Sequence, residues 1–128
     1  MMETLLTRDA LGFSIHVATQ LMVWGTIAHM VTDWLLQTDW MAINKKRLTH
    51  PAAWVHGAIC AAGMLFVFDW PKALLLGVIH MLIDTGKPIA WWCRVFKHIQ
   101  DEPVYVKVWA DQVLHVVFVA LFALLAAL

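Results

Sequence analysis

Four mostly apolar stretches, at about residues 11–36, 51–70, 71–93 and 104–128, take up most of the chain. Each is close to the roughly 20 residues a helix needs to cross the hydrocarbon of a bilayer. The breaks between them are chemically marked: "NKKRLTHP" is polar and ends in proline, "FDWP" reads as a tight turn, and "RVFKHIQDEP" is charged and again ends in proline. Hydrophobic residues make up 62% and charged residues 14%, a balance well outside the soluble range. The expected fold is therefore all-α: an integral membrane four-helix bundle with short loops that make neighbouring helices antiparallel. No linker, low-complexity run or internal repeat interrupts residues 1–128, so a single transmembrane domain is expected. The net charge is zero, which leaves no electrostatic case for nucleic acid.

Orientation follows from the basic residues. The loops after the first and third stretches hold Lys45, Lys46, Arg47, Arg94 and Lys97, against Arg8 and Lys72 on the other side. The richer loops should face the cytoplasm, with both termini outside, as in a multi-pass protein of the bacterial inner membrane. Glu3 and Asp9 in the first turns, with no small-residue cleavage site after the apolar stretch, argue against a cleavable signal peptide. Cys60 and Cys93 fall at different depths, so neither a disulfide nor a zinc knuckle is expected between them. Trp34, Trp40, Trp54, Trp91, Trp92 and Trp109 lie near the cytoplasmic ends of the stretches, where a tryptophan belt at the water boundary accounts for them.

The polar residues inside the stretches are ordered. His29 and Asp33, His80 and Asp84, and Asp111 and His115 each stand four residues apart, on one face of a helix. His56 adds an imidazole from the second stretch, so all four helices contribute. Antiparallel packing brings these three carboxylates and four imidazoles to a common level near the cytoplasmic end. Three isolated aspartates in lipid would oppose insertion by about 7–10 kcal/mol, so they must face inward, neutralised or bound to something.

A divalent metal meets that need, because neutral imidazole and ionised carboxylate are ligands that zinc accepts, and Mn, Fe or Ni after it. The candidate ligands are His29, Asp33, His56, His80, Asp84, Asp111 and His115. Seven exceed one tetrahedral ion, which leaves open two metals sharing a carboxylate or one metal with the surplus around it. Asp33, Asp84 and Asp111 are the candidate acid–base carboxylates. Lys87, two turns along the stripe from His80, is placed to neutralise negative charge, or else snorkels to the interface. Gln37, Asp39, Asn44 and Gln112 are candidates for the mouth or surroundings of the site. Asp39 lies on another face from Asp33, so it joins only if the first helix ends before it.

The runs "AHMVTDWLLQTDWMAINK", "WVHG", "GVIHMLIDTGK" and "WADQVLH", in that order, resemble an uncharacterised family of small bacterial and phage inner-membrane proteins, domain of unknown function 3307. The resemblance covers nearly the whole chain and implies four membrane helices without an assigned activity. A looser likeness, over the His and Asp pairs alone, is to membrane-bound proteins described as metal-dependent hydrolases and to all-α zinc phospholipases. Asp111 precedes His115, the reverse of their order, so their substrates do not carry over.

The expected function is a membrane-embedded metal-dependent hydrolase at the cytoplasmic face, using a metal-activated water on a lipid or other amphiphilic substrate. The lipid bilayer is then its first partner, and so short a chain leaves room for a homo-oligomer. An ion, proton or metal transporter is the alternative, since Asp and His also line ion paths; His16, Thr19 and Gln20 in the outer half would have to continue the path. A non-catalytic metal-binding or partner protein is another. No Glu in the stretches and carboxylates beside every histidine pair speak against di-iron and bis-histidine haem centres.

Overall fold

The computed structural model describes residues 2–101 and 103–128, with side chains from residue 12 onward. Helices account for all the regular structure of the described residues. Helix α1 (Met2–Met30) runs into one wider π-helical turn, Val31–Leu35. The Thr32 hydroxyl donates to the carbonyls of Ala28 (2.9 Å) and His29 (3.1 Å) at the point of widening, a back-bond that disturbs the regular ladder. A short helix α2 (Asp39–Asn44) follows, capped by Thr38, whose hydroxyl accepts from the Met41 amide. Helix α3 (Pro51–Met64) starts at the His50 cap, α4 (Trp70–Asp84) at the Asp69 cap, and each has proline in its first turn, where a missing N–H costs nothing.

The expected third stretch, 71–93, is two helices. The chain leaves α4 through Thr85 and Gly86, and Gly86 takes φ of 72°, a left-handed conformation that stops the helix. Helix α5 (Lys87–Val95) then departs at 60°. Helix α6 (Val104–Ala127) is unbroken and matches the expected fourth stretch.

Among the described residues α6 alone is long and apolar enough to cross a membrane by itself, and α4 with α5 would count as a second only if the bend lies within one span. Helix α3 ends at Met64, short of the expected residue 70, and its 14 residues reach about 21 Å. The polar groups carried by α1 lower the apolar weight of its described part.

The four long helices close a ring in which α1 packs on α6 and α3, and α4 on α3 and α6. Small residues set the tightest contact. A Cβ on Gly77 would stand 2.7 Å from Ala61 Cβ and 3.1 Å from the Gly57 carbonyl, so α3 and α4 approach backbone to backbone. At the end holding the α3–α4 turn, Met64, Phe68, Ala73, Leu76, Val119 and Ala123 form a buried apolar cluster. At the opposite end, beside Ala52, Ala53 and Ile83, a group of polar residues is buried: His29, Thr32, Asp33, His56, His80, Asp84, Gln112 and His115. Outside, large apolar side chains face away from every long helix, among them Trp24, Val55, Leu82, Val113 and Leu124, and all eight tryptophans are exposed.

Candidate metal centre

Close packing of α3 on α4 decides where the imidazoles meet. His56 on α3 directly precedes Gly57 and His80 on α4 stands about one turn after Gly77, and their Nε2 atoms are 3.0 Å apart. Two carboxylates close on them. His56 Nε2 lies 3.0 Å from Asp33 Oδ1 and 3.3 Å from Asp84 Oδ2, and His80 Nε2 lies 3.6 and 3.1 Å from the same oxygens. All four residues are at most 5% exposed.

Ligand atoms at bonds of roughly 2.0–2.1 Å around a tetrahedral ion stand about 3.3 Å from one another. The observed distances bracket that value, so the two imidazoles and two carboxylates could hold a metal ion. Two further groups share members with the first: His56, Cys60 and His80, and Asp84, Asp111 and His115. Cys60 Sγ lies 3.3 Å from His80 Nε2 and 3.8 Å from His56 Nε2. Asp84 is common to the first and third of these groups.

His115 belongs to the third group. Its Nδ1 donates to the Asp111 carbonyl at 2.8 Å, which leaves the Nε2 lone pair buried without a hydrogen-bond partner, 3.9 Å from Asp84 Oδ1. Fixing one ring nitrogen by a backbone carbonyl so that the other presents a lone pair is how metal-binding histidines are held. The ring stacks on His29 at 4.8 Å between centroids.

His29 and Gln112 hold Asp33 from the side. The Gln112 amide nitrogen donates to Asp33 Oδ2 (2.8 Å) and Asp111 Oδ2 (3.2 Å), while its carbonyl accepts from His29 Nε2 at 3.2 Å. His29 Nε2 is 3.9 Å from Asp33 Oδ2, and His29 belongs to none of the three groups. The expected His29 and Asp33 pair is thus joined through an amide from α6. Thr32, one residue before Asp33, carries the helix-widening back-bonds.

Lys45 is the group that sequence reasoning missed. Helix α2 carries it back over the site, where Nζ lies 2.9 Å from Asp33 Oδ1, 3.1 Å from Asp84 Oδ1 and 3.3 Å from His56 Nε2. Burial alone would lower its pKa, yet the carboxylates of Asp84 and Asp33 hold the ammonium above the ordinary lysine range. Cys60 was missed too, although it stands four residues from His56, the spacing of the three pairs.

Above this floor opens a cavity of about 510 Å³ lined by Trp34, Gln37, Lys46, Lys87, Lys107 and Asp111 among others. Lys87 and Lys107 are exposed at its wall, and Gln37 reaches it with a buried Oε1 that has no hydrogen-bond partner. Asp39 is exposed at the start of α2 and Asn44 donates to the Trp40 carbonyl; neither lines the cavity. Below the imidazoles a cavity of about 20 Å³ ends on Met64, Leu76 and Val119 of the apolar cluster. His16, Thr19 and Gln20 are exposed on the outside of α1, and both cysteines are free and buried.

Residues 21–128 match the model of the family described as Protein of unknown function (DUF3307), and the chain belongs to that family. No curated protein and no solved structure matches the chain.

Proposed function

Starting from a family without an assigned activity, we propose that this chain is a membrane-embedded hydrolase of the bacterial inner membrane. It uses a divalent metal, zinc first, to cleave an ester of a lipid or other amphiphile at the cytoplasmic face. The observation that carries the reading is the convergence of Asp33, His56, His80 and Asp84 at spacings of 3.0–3.6 Å. Imidazole, carboxylate and a neighbouring thiol favour zinc over magnesium or calcium. A divalent ion held there would supply a water activated toward hydroxide near neutral pH.

The chain's own groups provide the rest. Asp111 lines the cavity beside the floor and takes the proton as the water oxygen bonds to the ester carbon or phosphorus. Asp111 returns that proton to the alcohol oxygen as its bond to carbon or phosphorus breaks, and Lys87 on the wall neutralises the negative charge that develops. Lys45, with Nζ 2.9 Å from Asp33 and 3.1 Å from Asp84, is the counter-ion of both carboxylates.

Membrane embedding draws support from the inverted distribution of side chains, polar within and apolar without, which a water-soluble surface does not tolerate at this extent. Transport is less well supported. The polar groups stop at the small cavity under the imidazoles, and the polar residues of the far half of α1 face outward.

The test is a panel of short-chain carboxylic and phosphoric esters offered to the detergent-purified protein. Turnover should be abolished by chelation, restored by Zn²⁺, and lowered at least 100-fold by Asp111→Asn, with the metal held by Asp33, His56, His80 and Asp84 retained. No turnover of either ester class by the metal-loaded protein would contradict hydrolysis.

A further inference from the structure

The large cavity combines two kinds of wall that point to its ligand. Asp33, Asp84 and Asp111 lie at its floor with Lys45 between the first two, and Lys46 and Lys87 line it as well. The N-terminal turn of α5 opens on the same space through Thr85, Gly86 and Ile89. Gly86 offers no capping side chain and Pro88 no N–H, so the positive end of that helix is only partly answered, by Thr85 Oγ1 accepting from the Lys87 amide at 3.3 Å. Lysines and a helix N-terminus converging on one cavity make a receptor for an anion with several oxygens. The remaining wall, formed by Trp34, Ile89 and Val108, is apolar.

We propose that this cavity binds a phosphate-bearing amphiphile, its phosphate received by Lys46, Lys87 and the N-terminal turn of α5 and its apolar chain laid along Trp34 and Val108. Gln37, whose buried Oε1 has no hydrogen-bond partner, accepts a hydroxyl of the headgroup. Lys45 stays on the floor with Asp33 and Asp84 and does not contact the phosphate. The inference rests on the reading of this cavity as the substrate entrance, and it concerns binding only, so it stands or falls without turnover.

Calorimetry on the purified protein in a non-ionic detergent tests it, with three probes: dihexanoyl phosphatidate, dihexanoyl phosphatidylcholine and inorganic phosphate. Phosphatidate should bind at least 10-fold tighter than phosphatidylcholine, and inorganic phosphate should compete with it. The paired substitution Lys46→Gln with Lys87→Gln should weaken phosphatidate at least 10-fold, weaken phosphatidylcholine, whose phosphodiester carries a single charge, by less, and leave bound metal and thermal stability unchanged. Equal affinity for the two lipids, or a phosphatidate preference that survives the paired substitution, would overturn the assignment. Competition by inorganic phosphate with no gain from the acyl chains would also overturn it, by marking a site for the free ion. A protein that selects phosphatidate yet hydrolyses nothing would sink the hydrolase reading and leave this one intact.

Discussion

The two ends of the helix ring are built from the same four helices and solve burial in opposite ways. At the end holding the α3–α4 turn, Met64, Phe68, Leu76 and Val119 fill space with apolar atoms that need no partners. At the other end all four helices give up apolar contact to bury two aspartates, four histidines and a glutamine. Charged groups taken out of water repay their desolvation only when geometry is excellent, and well-packed apolar replacements are often as stable or more so. The polar end is thus the part of the molecule that stability does not explain. Its cost is contained by Lys45, which supplies one charge to two carboxylates, and by Gln112, which ties Asp33, Asp111 and His29 together.

Substitutions that pull the two ends apart sharpen this contrast. Lys45→Met has the largest expected effect. It should destabilise the metal-free protein by about 3–5 kcal/mol, the cost of leaving buried carboxylates without their counter-ion, and thermal unfolding in detergent should show saturating Zn²⁺ restoring most of the loss. Phe68→Ala, at the apolar end, should cost about 3 kcal/mol through the cavity it leaves, with metal affinity by competition against a chelating dye unchanged. If both variants respond to Zn²⁺ alike, the ends are not the separate regions described.

Gly77→Ala probes the link between them. The new methyl meets Ala61 and the Gly57 backbone, which cannot turn aside, so a stability loss of about 2 kcal/mol is expected. Because the same contact sets the separation of His56 and His80, metal affinity should fall with it. Gln112→Ala is the smallest change. It should weaken metal binding about 10-fold by releasing Asp33, and destabilise the metal-free protein by about 1 kcal/mol through the buried partners it leaves unpaired.

Much of this was legible in the chain. Prolines and caps at residues 50–51, 69–71 and 103–104 mark where helices begin, and spacing by four puts His29 with Asp33, His80 with Asp84 and Asp111 with His115 on shared helix faces. What escaped depends on chain reversal and local backbone choice. Lys45 reads as one member of a basic loop, and only the six-residue helix begun at the Thr38 cap returns it to Asp33. The break at Gly86 was hidden because apolar residues on both sides continue the hydropathy of a span. Gln112 was legible as a polar neighbour, while its bridge between His29 and Asp33 depends on the pairing of α6 with α1.

The central claim is that the polar end is a metal centre, and the metal content of the purified protein tests it most directly. Elemental mass spectrometry after reconstitution with Zn²⁺ and removal of free ion should find at least one zinc per chain in the parent and in Phe68→Ala, and less than a tenth of that in His80→Ala. A parent protein that retains no stoichiometric divalent metal, or a His80→Ala variant that retains it in full, would contradict the account.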